Sequence, residues 1–359
     1  MIKMDVNLAE RTYPIYFATG YDGLGKSLAA ARLNGKFVLI TDSNADRYQG
    51  EECINSLRNC GYEVYKYVFE AGEKNKNLAT VNEIYKFMMN LKLDRDSTVI
   101  ALGGGVVGDV AGFAAATFLR GINFVQVPTT LIAQADSSVG GKVGVDFEGG
   151  KNIIGAFYQP KLVYINVNSL RTLPGREVKA GLAEVVKHGI IKDAAFFDYV
   201  DYNLDKILQF NEEALLYIAK VNCSIKGSIV EEDERESGIR AILNFGHTIG
   251  HAVESVSDFR LLHGECVSIG MVGAFRIAQH MDMINGFEVS KVMQLLERIG
   301  LPVSIKGMDT EKIYQQMLYD KKIKNNKLVF ILPKKIGEVL RISIDDKNLI
   351  KKVLEELAQ

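Results

Sequence analysis

The chain has 359 residues, of which 47% are hydrophobic and 24% charged, and its formal net charge is −1. That length admits two domains with cores of their own. A near-zero charge excludes a global pull towards nucleic acid or an anionic membrane, so any anion site must be local.

The N-terminal stretch MIKMDVNLAERTYPIYF holds no continuous apolar run and no small-residue cleavage site, so no secretory signal is expected. Phe37-Val-Leu-Ile-Thr-Asp42 is a short apolar run ending on a polar residue, as a buried parallel strand does. Residues 51–60 then read as helix, 62–69 as strand, 78–91 as helix, 97–102 as strand, 110–120 as helix and 124–127 as strand. This alternation predicts a doubly wound, Rossmann-like parallel sheet over roughly the first 165 residues. The longest apolar stretch, 106–119, is too short to span a bilayer and contains Asp109. Beyond Leu173-Pro174-Gly175 the pattern turns helical, over 178–191, 211–232 and 267–281, with one late hairpin at 327–332 and 339–344. The expected domains are therefore an α/β unit, 1–173, and a mainly α-helical unit, 174–359. Cys53, Cys60, Cys223 and Cys266 form no C-x-x-C pair, which reads as reduced thiols in the cytoplasm.

Gly103-x-Gly105-x-x-Gly108 matches the dinucleotide fingerprint between a strand and a helix. Glycines there permit a tight turn, and a helix N-terminus attracts a pyrophosphate. The acid expected about 20 residues later is missing, because Asp136 is the next acid after Asp109. Asp42, ending an earlier strand, is the alternative holder of a ribose.

Four of the five histidines lie between His188 and His263. His247 and His251 stand at i and i+4, on one helical face, but without the glutamate of the zinc-protease motif. A catalytic divalent ion wants three protein ligands and an open position. Spacing offers Glu184, His188, His247, His251 and His263, the last in an expected loop; His280 reads as structural. Lys142, Lys151, Lys187, Lys226 and Arg240 stand beside glycines or apolar residues. Buried cations need partners, and an anionic substrate with phosphate and carboxylate would supply them.

The set Gly103-Gly-Gly-Val-Val-Gly-Asp109, Val127-Pro-Thr-Thr130, Asp136-Ser-Ser-Val-Gly-Gly-Lys142, Gly150-Lys-Asn152, Ala183-Glu-Val-Val-Lys187, Asn244-Phe-Gly-His-Thr-Ile-Gly-His251, His263-Gly-Glu265 and Asp320-Lys-Lys322 closely resembles the 3-dehydroquinate synthases. Order and spacing match over nearly the whole chain. The resemblance implies an NAD domain, a metal domain, an active site in the cleft between them, and a homodimer. It implies zinc or cobalt on Glu184, His247 and His263, with His251 at the substrate phosphate. NAD would be surrounded by Asp42, the loop Gly72, Glu73, Lys74, Asn75 and Lys76, the turn Gly105, Val106, Val107, Gly108 and Asp109, and by Thr129, Thr130, Lys142, Lys151 and Thr172. Asn152, Lys187, Asn244, His251 and one of Lys321 or Lys322 would hold phosphate, with Arg120 reaching it from the partner. Lys226 and Arg240 would pair with the substrate carboxylate, Asp136 would face its hydroxyls, and Glu236 would support that cluster.

The implied reaction turns 3-deoxy-D-arabino-heptulosonate 7-phosphate into 3-dehydroquinate and phosphate. Its steps are transient oxidation by NAD, phosphate elimination, re-reduction, ring opening and an intramolecular aldol closure. The alternatives are another sugar-phosphate cyclase, a metal-dependent polyol dehydrogenase, and a nucleotide-binding module without activity. The last leaves the metal set and the clustered cations unexplained.

Overall fold

A computed structural model describes residues 1–258, 260–321 and 328–359. In chain order, the first part contains β1 (Ile2–Val6), β2 (Tyr13–Ala18), β3 (Phe37–Asp42), α1 (Glu51–Arg58), β4 (Val64–Phe69), α2 (Leu78–Asn90), β5 (Thr98–Gly103), α3 (Gly105–Thr117) and β6 (Asn123–Pro128). A hairpin of β7 (Lys142–Phe147) and β8 (Gly150–Phe157) follows, then β9 (Leu162–Asn166). Next come α4 (Gly175–Lys192), α5 (Glu212–Glu232), α6 (His247–Val256), α7 (His263–His280) and a second hairpin, β10 (Leu328–Lys335) and β11 (Glu338–Ile344). Among the described residues no helix is long and apolar enough to cross a membrane.

The chain divides into two compact units, one of residues 1–173 with 210–235, the other of 174–209 with 236–359. The first change of unit falls after residue 173, and residues 210–235, which hold α5, cluster with the first unit. The inward face of α5, Leu215, Ile218, Ala219, Ile225 and Ile229, is buried. The Asn222 side chain donates to the Ala135 carbonyl at 2.5 Å, and Cys223 Sγ lies 3.4 Å from the Gln134 carbonyl.

The first unit's sheet has the order β1-β2-β9-β6-β5-β3-β4. Every neighbouring pair is parallel except β1 with β2, so the doubly wound parallel sheet carries one antiparallel edge strand. The central strands are apolar on both faces, as two-sided burial requires. Val38 and Ile40 of β3 pack with Val99, Ala101 and Phe124, while Phe37 and Leu39 pack with Ile100, Leu102 and Val127. From β3 the chain moves outward to β4, then returns to place β5 on the other side of β3. The direction of winding thus reverses at β3 and β5, and a crevice at the carboxyl ends of such strands is where open α/β sheets bind ligands.

In the second unit, α4 is buried almost along its length. Two glycines set how closely its neighbours approach. A Cβ on Gly264 of α7 would lie 1.9 Å from the Ala180 carbonyl oxygen of α4, and one on Gly270 would lie 1.8 Å from the Gly246 oxygen at the start of α6. Backbone rests on backbone at both crossings, which only glycine permits.

Candidate active site

At the switch point, α3 begins at Gly105, five residues earlier than its apolar pattern starts, because two of the three fingerprint glycines, Gly105 and Gly108, are themselves helical while Gly103 ends β5. The helix N-terminus therefore lies inside the motif and presents its orphan N–H groups and positive dipole end there. A Cβ on Gly108 would stand 2.8 Å from Gln126 Oε1 of β6, so this third glycine serves close packing of helix on strand. Thr129 N donates to the Gly103 carbonyl at 2.9 Å, and Thr130 Oγ1 accepts from Ala133 N at 3.2 Å.

Asp42 ends β3 beside this turn. Its Oδ1 accepts from Asn44 N at 3.0 Å and Ala45 N at 2.8 Å, capping the next turn, while burial raises its carboxyl pKa. Gly72 adopts φ +115° ahead of a single turn over Glu73–Asn75, and Lys76 then reaches Asp109 Oδ2 at 2.5 Å. Lys76 is buried; burial lowers its pKa, and the Asp109 carboxylate more than compensates. Lys151 Nζ lies 4.0 Å from Glu73 Oε1. Thr172 Oγ1 accepts from Gln49 Nε2 at 3.1 Å and donates to the Ser169 carbonyl at 2.8 Å.

Lys142 opens β7 and Asn152 lies in β8, on a hairpin that the residue pattern does not predict. Asn152 has φ +54°, and its N–H donates to Asp146 Oδ1 at 2.8 Å. Lys226 of α5 directs its ammonium to Asp136, 2.6 Å from Oδ1, so the carboxylate expected to face substrate hydroxyls here holds the cation expected to face a substrate carboxylate. Arg120 follows α3, exposed, with φ +68°.

Within the second unit, Glu184, His247 and His263 come together from α4, α6 and α7. His263 is the first residue of α7 rather than part of a loop. His263 Nε2 lies 3.3 Å and His247 Nε2 3.8 Å from Glu184 Oε1, and Lys187 Nζ forms an ion pair with Glu184 Oε2. Glu184 and Lys187 are both fully buried. No hydrogen bond of ordinary geometry from a described residue reaches either Glu184 oxygen. Burial would raise this carboxyl; the Lys187 charge, with His263 and His247, holds it well below the usual carboxylate range.

His247 Nδ1 lies 3.0 Å from the Phe245 carbonyl. A carbonyl only accepts, so Nδ1 carries the hydrogen and Nε2 a lone pair. Burial and the Lys187 charge push His247 down to about 3, keeping it neutral. A lone pair thus faces an ionised carboxylate across 3.8 Å, a repulsive arrangement that a cation between them would relieve. Two imidazoles and one carboxylate form a donor set suited to a catalytic divalent metal. Of the spaced candidates, His188 is buried on α4 outside this trio, and His251 is exposed on α6 with its ring 5.1 Å from that of His247.

Arg240 is buried, and Asn244 Nδ2 donates to Glu236 Oε1 at 2.9 Å, which joins two of the expected substrate residues. Lys321 is the last residue of the helix Thr310–Lys321, and Lys322 lies outside the described residues. Glu254 escaped notice in the sequence. Its Oε2 lies 3.7 Å from His263 Nδ1, and its spacing of seven from His247 on one helix is the signal that could have found it.

The chain matches the family model described as 3-dehydroquinate synthase N-terminal over residues 66–180 and the one described as 3-dehydroquinate synthase C-terminal over 181–323. A 3-dehydroquinate synthase of Acetivibrio thermocellus is 64% identical over 360 residues, spanning 100% of both chains. The fold is similar to that of 2-deoxy-scyllo-inosose synthase complexed with carbaglucose-6-phosphate, NAD+ and Co2+, with TM-score 0.90, 28% identity and coverage of 99% and 100%. It is likewise similar to 2-epi-5-epi-valiolone synthase from Streptomyces hygroscopicus with NAD+ and Zn2+ bound, with TM-score 0.89, 26% identity and coverage of 96% of each chain.

Proposed function

The chain belongs to the 3-dehydroquinate synthase family, and from that premise we propose how its residues convert 3-deoxy-D-arabino-heptulosonate 7-phosphate into 3-dehydroquinate and phosphate. When bound, NAD supplies a transient hydride acceptor and zinc or cobalt supplies a Lewis acid. Glu184, His247 and His263 would hold the metal. The observation that carries this reading is the His247 lone pair aimed at a buried, ionised Glu184.

The N-terminus of α3, from Gly105 to Asp109, would receive the NAD pyrophosphate on its orphan N–H groups. Asp42 would accept from the ribose hydroxyls, with Thr129, Thr130, Lys142, Lys151 and Thr172 completing the cofactor's surroundings. Asn152, Lys187, Asn244 and His251 would bind the substrate phosphate through charge-assisted hydrogen bonds. Arg240 and Lys226 would hold the substrate carboxylate, and Asp136 would orient its hydroxyls. Binding a flexible acyclic chain at both its phosphate and carboxylate ends brings the reacting carbons together for ring closure. A cytoplasmic homodimer, with Arg120 serving the partner's phosphate site, belongs to the same proposal.

The second reading, another sugar-phosphate cyclase, is supported by the likeness to the two cyclase structures. The proposed roles of Arg240 and Lys226 favour a substrate with a carboxylate, which would share Lys226 with Asp136. Offering the protein a panel of sugar phosphates with and without a carboxylate tests the choice. Cyclisation of the heptulosonate alone supports the synthase reading, and turnover of an uncarboxylated sugar phosphate alone would replace it.

A further inference from the structure

We infer that Glu254 is a positioning residue for the metal ligand His263, an inference that rests on the metal reading above. A metal-bound imidazole is directed by whatever its second nitrogen donates to, and that partner is most often a carboxylate or a backbone carbonyl. Two ligating histidines should therefore have two such partners. His247 has one in the Phe245 carbonyl, 3.0 Å from Nδ1. His263 faces a carboxylate on each side, Glu184 Oε1 at 3.3 Å from Nε2 and Glu254 Oε2 at 3.7 Å from Nδ1. The two carboxylates are not equivalent. Glu184 also faces His247 and belongs to the converging trio, whereas Glu254 lies behind the His263 ring.

The fold holds Glu254 in that place. It lies on α6, seven residues after His247, so one helical stripe carries a ligand and the support of another ligand. Ile249, Ala252 and Val253 anchor the opposite side of α6 in the core, and Gly246 and Gly250 seat the helix directly against α7, where His263 begins. The Glu254 side chain is only 12% exposed, and burial at that level strengthens its pull on an imidazole N–H. At 3.7 Å the contact is an electrostatic one rather than a closed hydrogen bond, and the Glu254 carboxylate favours the hydrogen on Nδ1 and the Nε2 lone pair for the metal. His251, Glu254 and His263 also form a compact group, so the alternative is that Glu254 is itself a ligand.

Zinc and cobalt binding to purified full-length protein, measured by competition with a chromophoric chelator, tests this directly. The wild type should bind one metal, and Glu184→Gln should lose it; failure of this control removes the metal reading rather than the inference. Glu254→Ala should weaken binding about 10- to 100-fold while keeping one site, as loss of an outer-shell partner does. Glu254→Gln keeps an acceptor oxygen and should recover part of that affinity. The cobalt absorption spectrum of Glu254→Gln should retain the wild-type band pattern, because the ligands are unchanged. Unchanged affinity in Glu254→Ala would overturn the inference. So would a changed ligand-field spectrum in Glu254→Gln, which would make Glu254 a ligand.

Discussion

Lys226 Nζ lies 2.6 Å from Asp136 Oδ1 and 2.5 Å from the Asp136 carbonyl oxygen. The lysine comes from α5, the segment that returns to the first unit. Lys226→Met removes this buried cation and should destabilise the protein by roughly 1–3 kcal/mol in urea unfolding. Asp136→Asn leaves the backbone oxygen as an acceptor and should cost less. Both variants should lower kcat/KM for phosphate release at least tenfold. Equal kcat/KM to the wild type in Lys226→Met would remove Lys226 from the substrate site.

The buried Lys76–Asp109 pair calls for a different test. Asp109→Ala strands the Lys76 ammonium, and breaking a buried pair in this way costs about 3–5 kcal/mol. Replacing both by apolar residues, Lys76→Met with Asp109→Leu, should recover most of that stability while abolishing NAD binding. The Lys76 pKa is raised above its ordinary 10.5 by Asp109, against burial. The Lys76 contribution is therefore full below pH 10.5 wherever Asp109 is ionised, and is lost as pH rises through the folded-state value; burial raises the Asp109 carboxyl, so the pair also weakens at the acid end. Lys76→Met should flatten that alkaline limb in melting curves; an unchanged limb would assign it to another group.

Gly264 lets α7 rest on α4 at Ala180, next to His263 and one turn before Glu184. Gly264→Ala places a Cβ against the Ala180 oxygen, where the unrelaxed distance is 1.9 Å. Overpacking of this kind costs about 1–3 kcal/mol, and α7 must shift to relieve it. Metal affinity should fall together with the melting temperature. Wild-type metal affinity in a destabilised Gly264→Ala would show that the crossing does not set the ligand geometry.

Asp42 caps the turn after β3, and the proposal gives it a second, separable role at the NAD ribose. Asp42→Ala removes both the cap and the expected ribose acceptor, costing about 1 kcal/mol of stability. Asp42→Asn keeps an oxygen for the two capping N–H groups, so its melting temperature should match the wild type while NAD affinity, read by titration calorimetry, falls. Unaltered NAD affinity in Asp42→Asn would leave the cap as the only role.

Much of the first unit is legible because its strands are buried on both faces and so read as unbroken apolar runs. The strand expected at residues 37–42 is β3 itself. The β7–β8 hairpin is not legible, since Gly140, Gly141, Gly144, Gly149, Gly150 and Gly155 interrupt any alternation. The start of α3 is hidden for a related reason: glycines that read as a turn are its first helical turn. The place of α5 depends on contacts 87 and 89 residues away, at Ala135 and Gln134, which no local pattern records. For the proposed metal ligands, sequence spacing left five candidates. The converging distances, the Phe245 carbonyl on His247 and the buried Glu184 oxygens narrow the donor set in physical terms.

The most direct measurement is phosphate release from 3-deoxy-D-arabino-heptulosonate 7-phosphate by metal-loaded protein with NAD well below the substrate concentration. The account predicts many phosphates per NAD, 3-dehydroquinate as the carbon product, no net NADH, loss of turnover with a chelator, and recovery with zinc or cobalt. Absence of phosphate from the loaded protein, or NADH accumulating one for one with substrate, would contradict it.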